Sequence, residues 1–121
     1  HAAGHIATYH TCGGMMRILD LIVQNGADAS ETLAPPGVGG NIREPAKVRE
    51  VFGGRLAMIG GLDQHHVLTA GSPEQIRAEV HRLFEGFGPD GGYICSASDH
   101  FFETPPENLR IFARAAMECT Y

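Results

Sequence analysis

The sequence predicts an α/β fold of four consecutive βα units with parallel strands. Four short apolar runs are each followed by a helical stripe of apolar residues, and the run at 56–59 has almost no polar alternation. Alternating βα units imply a parallel sheet with right-handed crossovers. Four units suit either a small open α/β sheet or half of a (β/α)8 barrel, since a full barrel takes about 250 residues and this chain has 121.

The first unit is a strand at residues 6–10 followed by a helix at about 15–24. Its apolar residues are spaced i, i+3, i+4 and i+7, which is typical of a helix packed on one side. They are Met15, Ile18, Leu19 and Ile22. Gly26 follows at the position where glycine commonly ends a helix.

The second unit has the weakest pattern. Residues 29–34 predict a strand, and the Pro- and Gly-rich residues 35–40 predict a loop. A short helix is expected from Pro45 to Phe52, because proline suits the first turn of a helix.

The third unit begins with the apolar run at 56–59, and residues 60–63 form its carboxyl end. Ser72-Pro73-Glu74-Gln75 predicts a capping box with proline at the first helical position. An apolar stripe then indicates a helix that reaches Phe87.

The fourth unit is a strand at 92–96 followed by the polar residues 97–100. Thr104-Pro105-Pro106-Glu107 predicts a second capping box. The last helical stripe extends to about Glu118.

Composition excludes several classes of function. The formal net charge is -5, and the lysines and arginines are scattered, which argues against nucleic acid and anionic membrane partners. No apolar run approaches the roughly 18–20 residues of a membrane span. The three cysteines are an odd number at irregular spacing, so we expect no disulfide framework and a reducing, cytoplasmic setting.

The carboxyl ends of the four predicted strands carry most of the candidate functional residues. In both candidate folds, function gathers at these ends. The polar groups and glycines expected there are His10, Thr11 and Cys12; Glu31 and Thr32; Gly60, Gly61 and Asp63; and Ser96, Ser98, Asp99 and His100.

His10 and Cys12 form the sharpest local motif. Side chains two apart on a strand point the same way, so an imidazole and a thiol would converge as two ligands of a zinc ion. In the alternative interpretation, His10 hydrogen-bonds a neighbouring loop and Cys12 is a small buried hydrophobe.

Two carboxylates are candidate catalytic groups. Asp63 ends the third strand beside two glycines, where it would accept a hydrogen bond from His10, contact substrate, or cap the following turn. Glu31 ends the second strand, where it would face the common rim or remain a solvated loop carboxylate.

Five segments follow one another in a recognisable order. They are His10-Thr11-Cys12-Gly13, Phe52-Gly53-Gly54-Arg55-Leu56, Ile59-Gly60-Gly61-Leu62-Asp63, Gly91-Gly92-Tyr93-Ile94 and Thr104-Pro105-Pro106-Glu107-Asn108. Together they resemble the carboxyl-terminal half of the uroporphyrinogen decarboxylase superfamily. The resemblance covers essentially the whole chain and implies a (β/α)8 barrel whose last four units are these.

The resemblance implies one of two activities. Decarboxylases of the superfamily bind a tetrapyrrole carboxylate in porphyrin biosynthesis and need no metal. Their late Gly-His-Gly is replaced here by Ser98-Asp99-His100. Zinc methyltransferases move a methyl group between a corrinoid protein and a thiol such as coenzyme M, with His-x-Cys and a distant Cys as ligands. His10 and Cys12 match that pattern, so methyl transfer is the expected function and tetrapyrrole decarboxylation the alternative.

The third zinc ligand remains open between Asp99 and Cys95. Cys95 lies at about the right distance along the chain, but inside the last predicted strand. Asp99 or His100 lies nearer the expected position, and zinc accepts oxygen and nitrogen as well as sulfur. Gly60, Gly61, Ser98 and His100, at the carboxyl ends of the third and fourth strands, are the expected substrate contacts. The resemblance implies a corrinoid on a partner protein as methyl donor.

The predicted half barrel raises the question of a partner. The chain begins at His1 in what resembles the end of a helix, so we expect residues 1–121 to be a single partial domain of a longer chain. Four βα units leave unpaired strand edges. We therefore expect a missing amino-terminal half or a homodimer, and an inactive half barrel that only self-assembles is a further alternative.

Overall fold

The computed structural model describes residues 1–121 as one parallel sheet with helices between the strands. The strands lie in the order β1-β2-β3-β4, so each strand pairs with the next one along the chain. Their bounds are β1 Thr8–His10, β2 Ala29–Thr32, β3 Ala57–Leu62 and β4 Tyr93–Ala97. All three pairings are parallel, which confirms the predicted α/β fold.

Four helices connect and follow these strands. They are α1 Leu19–Gln24, α2 Pro45–Phe52, α3 Pro73–Phe87 and α4 Pro106–Glu118. Right-handed crossovers between successive neighbouring strands place every helix on the same face of the sheet. A short 3-10 helix at Pro36–Val38 follows β2, and a π-helical turn at Gln64–Thr69 follows β3.

The hydrophobic core lies between the sheet and the helices. Phe87 of α3 is fully buried and its ring centroid lies 5.0 Å from that of Tyr93 on β4. Fourteen buried residues form the core: Met15, Leu19, Ile22, Leu33, Ile42, Val48, Phe52, Leu56, Met58, Leu62, Leu68, Leu83, Phe87 and Tyr93. Burial of this apolar surface is the main force that holds the helices on the sheet.

The other face of the sheet is open. Ile94 is 56% exposed, although both of its neighbours along β4 face the helices. On β3, Met58 is buried while Ala57 and Ile59 are only half-buried. Within residues 1–121, helices therefore cover only one face of the sheet.

Two predicted helix starts differ from the structure. The first helix begins at Leu19 rather than near Met15, although Met15 still packs in the core. The predicted capping box at Thr104 does not form, because Pro105 occupies the N-cap position and makes no side-chain hydrogen bond. The box at Ser72 is confirmed, with reciprocal bonds between Ser72 and Gln75.

The register of the sheet decides which polar groups meet. His10 is paired with Glu31, Glu31 with Ile59, and Ile59 with Ile94. The carboxyl ends of all four strands therefore lie along one rim. None of the helices is both long enough and apolar enough to span a membrane.

Candidate functional site

A carboxylate, an imidazole and a thiol form a continuous chain of contacts at the rim. Nδ1 of His10 lies 2.9 Å from Oε1 of Glu31, and Nε2 of His10 lies 3.2 Å from Sγ of Cys12. His10 and Glu31 are opposite one another on β1 and β2, while Cys12 follows β1 by two residues. Strand pairing and strand alternation thus assemble the three groups.

The contacts with Glu31 and Cys12 fit the tautomer of His10 that carries its proton on Nδ1. With the proton on Nδ1 donated to Glu31, the Nε2 lone pair points to Cys12 and is free to accept its thiol proton or to bind a metal. A carboxylate on the second ring nitrogen is one of the common partners of a metal-binding histidine. Glu31 is therefore in the position to orient His10 for either use.

The separation of His10 and Cys12 allows a direct test of their fit to zinc. Tetrahedral zinc with Zn–S of about 2.3 Å and Zn–N of about 2.0 Å holds its nitrogen and sulfur ligands about 3.5 Å apart. The observed 3.2 Å between Nε2 and Sγ is close to that value. These two side chains fit the first two positions of a zinc site.

The structure does not assemble the predicted third ligand. No group of three or more His, Cys, Asp and Glu side chains converges tightly enough to hold a metal. Oδ1 of Asp99 is instead bound by the backbone N–H of His100 at 2.7 Å and contacts His100 Nδ1 at 2.6 Å. Cys95 faces the helices beside Phe84 and Cys119, on the opposite side of the sheet from His10.

A cleft of about 280 Å3 opens on the rim beside His10. Its lining comes from all four strands and from the residues after β4. The lining residues are His10, Glu31, Thr32, Ile59, Ser96, Ala97, Ser98, Asp99, His100 and Phe101. Both residues of the Asp99–His100 pair thus share one cleft with the Glu31–His10 pair.

Asp99 is held in its ionised form. The backbone N–H of His100 lowers the pKa of the Asp99 carboxyl below its ordinary value, and the imidazoles of His100 and His10 act in the same direction. A hydrogen bond and nearby positive charge both stabilise a carboxylate. The cleft therefore keeps a negative charge at its β4 end.

Asp63 lies elsewhere on the rim. Its carboxylate accepts hydrogen bonds from the backbone N–H groups of His65 and His66 and contacts His66 Nδ1 at 3.0 Å. Its side chain is almost buried, beside Gly37. Asp63 thus caps the π-helical turn, and Glu31 takes the contact with His10 for which Asp63 was one candidate.

Gly60 and Gly61 are buried at the end of β3. A Cβ on Gly60 would lie 2.0 Å from the carbonyl oxygen of Thr32, and both glycines have positive φ angles of +118° and +94°. Such φ values favour glycine. The close approach of β2 explains Gly60, and the side chains of Phe87 and Leu83 on α3 fill the space beside Gly61. Neither glycine lines the cleft.

Three buried side chains have a polar atom without a hydrogen-bond partner, namely Ser30, Gln64 and Ser98. Ser98 is 1% exposed, and it is the one of these three residues that belongs to the cleft lining.

Sequence reasoning missed the pairing of His10 with Glu31. Its signal was available, because both residues end successive parallel strands.

Comparison with known proteins identifies the relatives of this chain. The sequence profile of the uroporphyrinogen decarboxylase (URO-D) family matches residues 1–119. The methylated-thiol–coenzyme M methyltransferase of Methanosarcina mazei is 28% identical over 109 residues, which cover 90% of this chain and 27% of that protein. The uroporphyrinogen decarboxylase of Aliivibrio salmonicida is 35% identical over 75 residues, which cover 60% of this chain and 21% of that protein.

Structural comparison agrees with the fold. A methyltransferase from Methanosarcina mazei superposes with a TM-score of 0.75 at 21% identity, over 95% of this chain and 32% of that one. The four-unit α/β fold is thereby confirmed and is consistent with half of a (β/α)8 barrel. The chain spans between about a fifth and a quarter of the length of the two curated relatives.

Proposed function

The chain belongs to the uroporphyrinogen decarboxylase family, and from this membership we propose that it forms the carboxyl-terminal half of a zinc-dependent methyltransferase. The reaction moves a methyl group from a corrinoid carried by a partner protein to a small-molecule thiol. The observation that supports this proposal is the contact chain Glu31–His10–Cys12 at the rim of the sheet.

His10 and Cys12 are the two zinc ligands that this chain supplies. Glu31 accepts a hydrogen bond from the Nδ1–H of His10, so that Nε2 faces the metal position. Zinc, when bound, lowers the pKa of a substrate thiol and acts as a Lewis acid that holds the thiolate. Zinc needs a third protein ligand besides His10 and Cys12. Asp99 does not supply it in this arrangement, because its carboxylate is bound by His100.

The transfer step conserves atoms and charge. A corrinoid held by the partner protein would supply the methyl group and would keep the electron pair of the bond that breaks, while the thiolate sulfur would form the new S–C bond. The thiol proton is released to solvent as the thiolate forms. The corrinoid supplies the reactive methyl group, and the protein supplies binding and orientation.

Metal analysis of the full-length protein, produced without an affinity tag, tests this proposal. We expect about one zinc per chain, as for a catalytic site, and loss of that zinc in His10→Ala and Cys12→Ala. The control His81→Ala removes a half-buried imidazole on α3 whose hydrogen-bond partner is Glu118. A zinc content near zero, unchanged by His10→Ala, would reject the proposal.

A tetrapyrrole decarboxylase is the second candidate. It is favoured by identities of 35% and 36% to decarboxylases of Aliivibrio salmonicida and Vibrio campbellii, above the 28% to the methyltransferase, although over a shorter part of the chain. This candidate predicts binding and decarboxylation of uroporphyrinogen without metal. The assay is carried out in the presence of a zinc chelator, and a full-length protein that neither binds nor decarboxylates uroporphyrinogen excludes it.

The third candidate is assembly without catalysis, through the open face of the sheet. Ile94 on that face is 56% exposed, and exposed apolar surface commonly marks a contact with protein. Either the amino-terminal half or a second copy of the chain would cover it. Mass measurement of residues 1–121 in solution separates these cases, since a dimer supports self-assembly and a monomer excludes it.

We also propose a reducing, cytoplasmic location. Cys12, Cys95 and Cys119 are all free thiols, and free thiols persist where glutathione and thioredoxin keep them reduced. Localisation of a tagged full-length protein by fractionation tests this proposal, and recovery outside the cytoplasm would reject it.

A further inference from the structure

Cys12 lies on an exposed turn at the end of the first strand. It follows His10, the last residue of β1, by two positions, and its thiol is exposed. Gly13 beside it has a φ of +82°, a value that favours glycine. An exposed side chain has few contacts of its own that fix its position. The placement of Sγ beside Nε2 of His10 therefore depends on how the backbone of the turn is held.

Thr32 holds the peptide group that precedes Cys12. Its hydroxyl donates a hydrogen bond to the carbonyl oxygen of Thr11 at 3.2 Å, and the backbone N–H of Thr11 donates to the carbonyl oxygen of Glu31 at 3.1 Å. Thr32 is 7% exposed, so water has little access to this side chain. Both polar groups of the Thr11 backbone are thus bound to the end of β2, one residue before the thiol.

Asn41 holds the other side of the same turn. Its Oδ1 accepts a hydrogen bond from the backbone N–H of Met16 at 3.1 Å. A Cβ on Gly14 would lie 2.8 Å from its Nδ2, so the amide packs directly on the backbone of the turn. Met15, between these two residues, is 1% exposed in the core. The turn is therefore fixed after Cys12 as well as before it.

We propose that Thr32 and Asn41 are positioning residues for Cys12, which hold its turn so that Sγ stays beside Nε2 of His10. This inference rests on the proposed zinc site and deepens it. Both side chains bind backbone groups of the turn, so they act on the metal only through Cys12. A turn that is ordered in advance does not have to be ordered by zinc binding, and the entropy that is saved appears as affinity.

Cobalt(II) is the probe for this inference, because it occupies tetrahedral zinc sites and its bond to a thiolate gives an absorption band. Thr32→Val and Asn41→Ala in the full-length protein should each lower cobalt affinity about tenfold, as loss of the outer partners of metal ligands does. Each should also weaken the thiolate-to-cobalt band. Thr32→Ser keeps the hydroxyl and Asn41→Asp keeps the acceptor oxygen, so both should retain the band of the parent protein.

Thr69→Val is the matched control. The Thr69 hydroxyl also donates to a backbone carbonyl, that of Gln64 at 2.7 Å, but in the turn that follows β3. Its loss should lower the urea midpoint of unfolding without changing cobalt affinity or the thiolate band. A loss of affinity in Thr32→Val that Thr69→Val does not share therefore separates positioning of Cys12 from a general loss of stability.

Hydrogen exchange of residues 11–16 in the metal-free protein is the second readout. Exchange should be faster in Thr32→Val and Asn41→Ala than in the parent or Thr69→Val, and unchanged exchange overturns the inference whatever the metal content.

The outcomes separate this inference from the proposed function. If the parent binds zinc and cobalt and both variants bind cobalt as tightly as the parent, the inference is overturned and the methyltransferase proposal stands. If the parent binds neither metal, the methyltransferase proposal fails. Faster exchange in both variants then still supports Thr32 and Asn41 as the residues that position Cys12.

Discussion

Oε1 of Glu31 lies 2.9 Å from Nδ1 of His10, across the pairing of β1 with β2. The contact joins residues twenty-one positions apart in the chain and leaves the other imidazole nitrogen facing Cys12. Glu31 therefore acts on the candidate metal position only through His10, as a positioning residue.

Replacing Glu31 should weaken zinc binding without removing a ligand. Loss of the carboxylate partner of a metal-binding histidine lowers metal affinity about 10–100-fold. We expect that loss for Glu31→Ala in a competition titration with a chromogenic chelator. Glu44→Ala is the control, since Glu44 is an exposed carboxylate that pairs with Lys47. Unchanged affinity in Glu31→Ala would show that the contact with His10 does not serve a metal.

The three cysteines should differ in their reactivity towards iodoacetamide. Cys12 is exposed, whereas burial raises the pKa of Cys95 and of Cys119 and so lowers their thiolate fraction at a given pH. Peptide mass analysis after short labelling should find Cys12 modified first. Labelling of Cys95 and Cys119 should increase as the pH rises, and in urea all three should react alike. Native Cys95 reacting as fast as Cys12 would contradict this placement.

Ionisation of Tyr93 should destabilise the fold at alkaline pH. Burial raises the pKa of Tyr93, whose hydroxyl donates to the carbonyl of Gly60 at 2.8 Å. The unfolded chain releases this proton near pH 10, so the native state loses stability as the pH rises above that value. Urea unfolding between pH 7 and about pH 11 measures the slope.

Tyr93→Phe separates the two contributions of this hydroxyl. At pH 7 it should cost about 0.5–1.5 kcal/mol through the lost hydrogen bond, and above about pH 10 its stability should fall less steeply than that of the parent chain. Tyr9→Phe is the control, because the Tyr9 hydroxyl makes no hydrogen bond in the structure. An alkaline slope identical in Tyr93→Phe and the parent would refute the assignment.

Thr104 should be coupled to Thr69 rather than to the start of α4. Their hydroxyl oxygens are 2.6 Å apart, while Pro105 is the N-cap of α4. A double-mutant cycle of Thr69→Val and Thr104→Val should give a coupling energy of about 0.5–1.5 kcal/mol in urea unfolding. A control cycle that combines Thr104→Val with Thr8→Val, at an exposed position on β1, should be additive. Additivity of Thr69→Val and Thr104→Val would contradict this coupling.

Local patterns predicted the elements of this fold well. The stripe at 76–87 and the Ser72 box led to α3 with its capping box in place, because a helix and its cap are formed by residues a few positions apart. The same reasoning failed at Met15, which is buried in the core but lies outside α1. Apolar periodicity reports the buried face, and it does not specify where helical hydrogen bonding begins.

Predictions of contact between elements were less complete. Asp63 and Glu31 both end neighbouring strands, and both were candidates to face the site. The difference is that Asp63 turns back to bind the N–H groups of its own turn, whereas Glu31 is held opposite His10 by the strand register. Likewise, Cys95 lies on the helix face because it alternates with Ile94 along β4.

The sequence alone determined the number and order of the βα units, the rim on which polar groups gather and the family to which the chain belongs. These follow from spacing and turn chemistry among near neighbours. Only the tertiary structure decided that Glu31 is the partner of His10, that Cys95 is remote from Cys12 and that Ser98 is buried without a partner in the cleft. Those relationships depend on strand register and on which face of the sheet each side chain occupies, and both are set when segments far apart in the chain pack together.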